Sequence, residues 1–537
     1  MKIVLATLNA KYIHTSLALR WLYVANKEQF NISFQEFVIK EDLDAVAQKL
    51  VESNCDVLGL SVYIWNVKHT ELLINKLRAL KPQLIIFVGG PEVMYEPDFF
   101  VNKWDIDYLI GGEGEFVTGE LFQALEKGIR EVDIPGVSYK GRISRTIVQA
   151  DINKLVKLDS PYQLPEDRKS LQHRVVYFET SRGCPYQCQY CLSSLEKGVR
   201  YFPQEYIFDN LQYFIDSNVK LIKFLDRTFN LKIYADLLKD EMIEYLNTQL
   251  PENYFRFEIG IQSTYEPTNL EVKRRQDFEL LAGNIKKLMD GGKIDLHLDL
   301  IAGLPFETYS RFVKSFNDVF VLQAKEVQLG FLKMLRGTNL RKNAAKYGYE
   351  FQEDAPYEIF YNDSISTADI ERIHQAEDML DKFCNSGRFK RSMTTVLFEH
   401  YNGRFFECFD ELAQHFQRVN FPRFGYQQED LFRQLLAFLT ERNIDVFHEM
   451  RDDYYDNYNL RPHGFWVDTI DKKEKKKLIN SITLDQAFLQ QNGLSKKEVE
   501  DYALIDLINE EHAVITLFNK RCNKLEPHPR LIYNLSK

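Results

Sequence analysis

Apolar residues recur along the first 130 positions in two alternating rhythms. Short runs of β-branched and aromatic residues at 3–8, 32–37, 57–62, 84–88 and 108–110 have the length and composition of strands buried on both faces. Between them, at 17–26, 43–53 and 70–80, and again after the fifth run at 116–127, apolar positions return every three or four residues, as on one face of a helix. Five strands with intervening helices predict a doubly wound, Rossmann-like parallel sheet in flavodoxin order, a fold that binds ligands at the carboxyl ends of its strands. The informative residues are therefore those at the predicted strand ends. They are Asn9, Tyr12 and His14 after the first strand, Ser61 and Trp65 at the third, Gly89, Gly90, Pro91 and Glu92 at the fourth, and Gly112, Glu113, Gly114 and Glu115 after the fifth. Each glycine pair taken alone is a turn signal and no more.

Residues 131–172 carry Pro135-Gly136, a basic polar stretch and two further prolines, which predicts a small hairpin and an extended linker. From 173 to 365 the alternation resumes. Strands are predicted at 175–178, 221–225, 255–259, 296–301 and 327–332, with a sixth near 357–361, which describes a partial (β/α)6 barrel of TIM type. Its strand-end residues would converge on one mouth: Asp226 after the second strand, Glu258, Gln262 and Ser263 at the third, and Asp299, Gly303 and Pro305 at the fourth. Lys333 and Arg336, nearest the mouth after the fifth strand, fit a solvated surface role better than a binding one. Beyond 366 the pattern turns to long charged helices at 367–383 and 428–440, a charged and aromatic stretch at 451–462, and a lysine run at 472–477 that fits a solvated helix face. A helix start at Ser495 and strand-like runs at 513–518 and 531–533 complete a mostly helical C-terminal region.

Composition narrows the class. The chain has 537 residues, 45% of them hydrophobic and 13% aromatic, which is ample for several packed cores and excludes wholesale disorder. A net charge of −10 argues against a broad nucleic-acid or anionic-membrane surface. Met1 runs straight into a strand pattern without a signal segment, and no apolar run reaches the roughly 20 residues of a membrane span, so a cytoplasmic protein is expected. Seven cysteines, an odd number, suit metal ligation in a reducing compartment better than a disulfide framework.

Three of those cysteines stand together. Cys184, Cys188 and Cys191 follow the fourth residue of the strand at 175–178 with C-x3-C-x2-C spacing, and Tyr190 precedes the last. Three thiolates can hold a four-iron cluster while leaving one iron without a protein ligand, which is a place for chemistry. A zinc knuckle would need a fourth ligand, and three unrelated buried cysteines would not be so tightly spaced; both stand as alternatives on spacing alone.

The triplet with its aromatic neighbour resembles the signature of the radical S-adenosylmethionine (SAM) superfamily. The Gly89–Glu92 and Gly112–Glu115 segments, in that order, are similar to the cobalamin-binding domain that precedes the radical SAM domain in one large branch, and residues beyond about 366 resemble the uncharacterised C-terminal extension of one of its subfamilies. The resemblance implies a [4Fe-4S] cluster on Cys184, Cys188 and Cys191, with Tyr190 near it. It implies SAM along Glu258, Gln262, Ser263, Asp299, Gly303 and Pro305, and cobalamin over the strand-end residues of the first domain. The Asp-x-His-x-x-Gly motif that supplies a cobalt-ligating histidine elsewhere is absent, and His14 lacks that context. The implied activity is one-electron cleavage of SAM to a 5′-deoxyadenosyl radical. Methylation of an unactivated carbon or phosphorus would follow, or a cyclisation or rearrangement without net methyl transfer. A non-catalytic cobalamin or redox sensor is the reading from another class. The partners implied are an unidentified small-molecule or peptide substrate and an electron donor such as flavodoxin or ferredoxin, with no nucleic acid and no membrane. The remaining wall of the substrate cavity is assigned to Asp452–Arg461.

Overall fold

The computed structural model describes residues 1–165, 167, 170–196, 198–227, 238–252, 254–458, 470–508, 510–517 and 530–535. Strands β1 (Lys2–Asn9), β2 (Asn31–Val38), β3 (Val57–Ser61), β4 (Ile85–Gly89) and β5 (Tyr108–Ile110) form a parallel sheet in the order β2-β1-β3-β4-β5, and β6 (Val137–Ser138) adds antiparallel to β5. The connecting helices are Leu17–Asn26, Leu43–Glu52, Val67–Leu80 and Val117–Glu126, as the periodicity predicts, with a short addition at Pro97–Lys103. Ser16 and Asp42 cap the first two by accepting from backbone amides near their starts. Helices cover both faces of the sheet, so β1 is buried from Ile3 to Asn9 and its two sides feed two cores, one around Val4 and Leu58, the other around Ile3 and Leu121.

Next come β7 (Val175–Phe178), β8 (Ser181–Cys184), β9 (Gly198–Tyr201), β10 (Leu221–Phe224), β11 (Phe255–Gln262), β12 (Ile294–Ala302) and β13 (Glu326–Phe331). β7 pairs in parallel with β10, and β11-β12-β13 form a second parallel ladder with helices between the strands. β8 and β9 are an antiparallel insertion directly after β7. The expected sixth parallel strand is corrected: β14 (Glu350–Phe351) and β15 (Ile359–Tyr361) form an antiparallel hairpin, the pairing that a short connection permits.

The C-terminal helices Thr367–Leu380, Phe405–Arg418, Gln428–Thr440 and Phe447–Asn457 do not stand apart from the barrel. Their apolar faces share one core with its strands, in which Ile261 and Leu300 are joined to Phe406, Leu435 and Tyr454. The seam is aromatic: Phe316 and Phe320 of the barrel helix Tyr309–Phe320 meet Phe405, Phe406 and Phe409 with ring centroids 5.0–6.0 Å apart. From Lys472 onward a smaller core forms between helices Lys472–Leu484, Gln486–Gln491 and Lys496–Tyr502 and the antiparallel strands β16 (Ala503–Leu507), β17 (His512–Leu517) and β18 (Arg530–Asn534). Ser495 caps its helix in a reciprocal pair with Glu498, and Lys472, Lys473, Lys476 and Lys477 are solvent-exposed. Among the described residues no helix is long and apolar enough to cross a membrane.

Candidate functional site

The three clustered cysteines lie on and just beyond the β8–β9 insertion. Cys184 ends β8, and Cys188 and Cys191 follow in the loop that leads to Leu192–Leu195 and back along β9. Asp226, at the end of β10, fixes the approach to this hairpin: its carboxylate accepts from the Thr180 amide and hydroxyl and from the Ser181 hydroxyl at 2.5–3.1 Å. Residues 228–230 of that predicted strand end lie outside the described residues. None of the three thiols is in a disulfide. Burial raises the pKa of Cys188, opposed by the Arg274 guanidinium and a hydrogen bond from Tyr190, and burial likewise holds Tyr190 far above the usual phenol range. Tyr190 packs against the barrel core beside this cation. Among the described residues no three His, Cys, Asp or Glu side chains are already gathered about one point. Three thiols in one hairpin, with a buried guanidinium beside Cys188, are a donor set that fits a four-iron cluster with one iron left open.

The barrel interior departs from the branched apolar filling usual in such folds. The ladder registers set Lys223 level with Tyr177, Glu258 level with His297, and His297 level with Glu326. One layer nearer the mouth, Asp299 is level with Gly260 and Gln328. Lys223 stands 4.0 Å from Glu258, and His297 Nε2 stands 3.1 Å from Glu326. Asp299 is pushed up to about 7, by burial first and then by Glu258 and Glu326. Its Oδ1 and the Oε1 of Gln262 are buried acceptors with no hydrogen-bond partner among the described residues. Gln262 is at a bulge in β11, with φ of 72°. Orphaned buried acceptors are costly unless a ligand supplies the donors, and SAM offers hydroxyls and an ammonium group. Ser263 is fully buried, and its hydroxyl donates to Glu307 at 2.6 Å. Gly303 and Pro305 are buried too; their carbonyls accept from Tyr349 and Asn362 and from Thr268.

The strand-end loops of the first domain divide into two groups. At the switch point between β1 and β3, Tyr12, Ile13 and Trp65 are large apolar side chains left exposed, with Tyr63 stacked on Trp65 at 4.3 Å. Ser61 donates to Thr7 and Asn9 to the His14 carbonyl, holding these loops. His14 points at the barrel, where its Nδ1 is 2.8 Å from the Tyr177 hydroxyl; burial, then Lys223, Lys11 and Arg174 lower its pKa. The loops after β4 and β5 are held tightly against the chain. A side chain at Gly90 would meet the Val62 backbone and one at Gly112 the Val148 backbone, so the close approach that these glycines permit is taken by the chain itself. Gly89 accepts from the Val62 amide, Gly114 starts the next helix by accepting from Thr118, and Pro91 lies between Gly90 and Glu92 at the turn. Glu92 is bound by the Tyr357 hydroxyl and lies 3.6 Å from Arg336, while Glu113 and Glu115 grip Arg182 of β8 at 2.8 Å each. These carboxylates join the two domains.

A family model for the B12 binding domain matches residues 3–122, and one for a protein family of unknown function, DUF4080, matches 345–528. The cobalamin-dependent radical SAM methyltransferase TokK of Streptomyces tokunonensis is 30% identical over 213 residues, 37% of this chain and 31% of that one. A 2-(S-pantetheinyl)-carbapenam-3-carboxylate methyltransferase of Streptantibioticus cattleyicolor is 28% identical over 194 residues, 33% of this chain and 28% of that one. The chain thus matches about a third of the length of these relatives. Among solved structures, the radical SAM methyltransferase TsrM of Kitasatospora setae aligns with a TM-score of 0.55 at 16% identity over 66% of this chain and 78% of that one. The cobalamin-dependent radical SAM enzyme OxsB aligns with 0.53 at 14% identity over 92% and 80%. At such identity the likeness is one of fold. Residues 3–122 match the B12 binding domain, and the chain shares the fold of these two enzymes.

Two groups near the cysteines were not legible in the sequence. Arg274, within the basic triplet 273–275, has no motif signal, and Arg182 carried no role in the cysteine motif although it stands two residues before Cys184. Arg336, expected in solvent, is buried: it lies over Phe99 at 3.9 Å and pairs with Glu96 at 2.5 Å. In the described part of the Asp452–Arg461 stretch, Asp453 accepts from the Arg391 and Ser392 amides, Asp452 and Asp456 pair with Arg530, and Tyr454 and Tyr455 are buried; Asp452, Asp453 and Asp456 also line a cavity of about 720 Å³ with Lys390 and Arg391. Residues 459–461 lie outside the described residues.

Proposed function

We propose that this protein is a cobalamin-dependent radical SAM enzyme that methylates an unactivated carbon or phosphorus of a small-molecule or peptide substrate. The observation that carries the reading is the placement of Cys184, Cys188 and Cys191 on a hairpin at the end of β7, in a barrel whose inner face offers the unpartnered acceptors of Asp299 and Gln262. When bound, the cluster supplies the electron, SAM the radical and the methyl group, and the corrin a carrier for that methyl. The chain's own part is to hold and orient. The three cysteines would ligate the cluster, with Arg274 offsetting its negative charge. Asp299, Gln262 and Glu258 would receive the hydroxyl and ammonium donors of SAM, and Ser263, Glu307, Gly303 and Pro305 would set that wall. Tyr12, His14, Trp65, Asn9 and Ser61 would line the corrin site at the switch point of the first sheet. Docking of the first domain on the barrel would exclude water from the space between, and a flavodoxin or ferredoxin would deliver the electron.

A second reading keeps the radical and omits net methyl transfer. A relative named as a 4′-phospho-dehydrooxetanocin synthase of Priestia megaterium, 22% identical over 177 residues, is not named as a methyltransferase. The test supplies SAM with a deuterated methyl group to reduced, cobalamin-loaded protein in a metabolite extract. A product heavier by one labelled methyl supports the first reading, a product without label the second, and a protein made with cobalamin that retains no corrin absorbance contradicts both.

A further inference from the structure

One guanidinium joins the first domain to the cysteine hairpin. Arg182 Nη1 is 2.8 Å from Glu113, Nη2 is 2.8 Å from Glu115, and Nε and Nη2 bind Glu179 at 2.6–3.2 Å. Glu113 also binds Arg200 of β9 and accepts from the Ala150 amide at 2.8 Å, so a single carboxylate from the loop after β5 ties both strands of the hairpin. Arg182 is 10% exposed and Glu115 7%, which places the group in a low-dielectric seam. Burial alone would depress the Arg182 pKa, but Glu115, Glu179 and Glu113 outweigh it and keep the guanidinium charged. Three carboxylates face two guanidiniums, and Glu115 Oε2 has no partner among the described residues. Bringing such charges out of water gives little net stability, whereas losing one partner leaves the rest uncompensated. The arrangement therefore serves registry: it fixes where one element sits on another.

We propose that Arg182 is a positioning residue that couples the corrin domain to the cluster hairpin, so that cobalamin bound by the first domain stiffens β8 and β9 through Glu113 and Glu115. The loop 111–116 lies at the carboxyl end of β5, on the same carboxyl edge of the sheet as the switch point between β1 and β3, and its carboxylates reach the strand that carries Cys184. The coupling rests on the reading that the first domain holds a corrin and the cysteines a cluster.

The test uses the full chain, with and without hydroxocobalamin, and reads amide exchange of 181–184 and 198–201 together with the EPR line shape of the reduced cluster. In the wild-type protein, cobalamin should slow that exchange by at least about tenfold, equivalent to about 1.4 kcal/mol, and alter the line shape. Glu113→Gln combined with Glu115→Gln should bind cobalamin and iron yet show neither response, and Arg182→Lys, which keeps the charge and loses the fork, should show a reduced one. Where a variant takes up no iron, exchange is compared on iron-free protein, because the contacts at Arg182 need no cluster. A wild-type protein that binds both groups without any response overturns the proposal, as does a double variant that responds fully. A wild-type protein that takes up neither group overturns the functional reading instead.

Discussion

The two parallel sheets of this protein use the same local architecture to opposite ends. In the first sheet β1 and β3 are buried on both faces, and every residue of β3 is buried. In the barrel, β11 alternates strictly along most of its length, and the side facing the interior carries Arg256, Glu258 and, across the ladder, His297, Asp299 and Glu326. A sheet closed on both faces by helices stores its apolar area in stability. A barrel whose inner face is polar has given up that area for chemistry. The difference explains why the first domain is the easier to recognise and the barrel the more informative.

Substitutions in the two regions sharpen this contrast. Cys188→Ala should have the largest effect, complete loss of bound iron and of SAM cleavage with folding intact, measured as iron content and 5′-deoxyadenosine formation beside a thermal scan. Phe122→Ala removes a fully buried ring from the first domain, edge-on to Phe30 at 5.4 Å and Phe87 at 5.7 Å. It should cost about 3–5 kcal/mol in denaturant unfolding of that domain. Glu307, fully buried behind the inner wall, is pushed up to about 7 from 4.5 by burial, opposed by hydrogen bonds from Ser263 and Ser315. A raised carboxyl means that the folded state holds a proton that the unfolded chain has released. Its stabilising contribution is full below pH 4.5 and is lost as pH rises through about 7, a change on the order of 3 kcal/mol. Glu307→Gln should therefore flatten the fall in Tm between pH 5 and 8; a variant whose Tm tracks the wild type across that window would show that Glu307 titrates normally. Gln328→Ala, on the exposed inner face of β13, should change stability by less than about 0.5 kcal/mol. If it cost as much as Phe122→Ala, the barrel interior would be packed core and the contrast would fail.

The sequence alone carried the first sheet well because strands buried on both faces read as uninterrupted apolar runs bounded by turn residues. Its short helix Pro97–Lys103 escaped because seven residues led by a proline show no periodicity. The cysteine hairpin was legible as spacing, since C-x3-C-x2-C has few other uses. What spacing cannot carry is the identity of distant partners. Glu113 and Glu115 have the look of ligand-facing loop residues, yet their partner is Arg182, far along the chain. Arg336 reads as a surface cation until Phe99, Glu92 and Glu96 enclose it. In the stretch 451–458 the charges are plain from the sequence and their partners, Arg391, Ser392 and Arg530, are not. The shared core of barrel and C-terminal helices was hidden for the same reason, since an amphipathic helix shows that it is covered and not by what.

The most direct measurement is reductive SAM cleavage by the full-length protein, reconstituted anaerobically with iron, sulfide and cobalamin. The account predicts about four irons per chain and formation of 5′-deoxyadenosine that requires reductant and all three of Cys184, Cys188 and Cys191. A protein fully loaded with iron and cobalamin that yields no 5′-deoxyadenosine under reduction would contradict it.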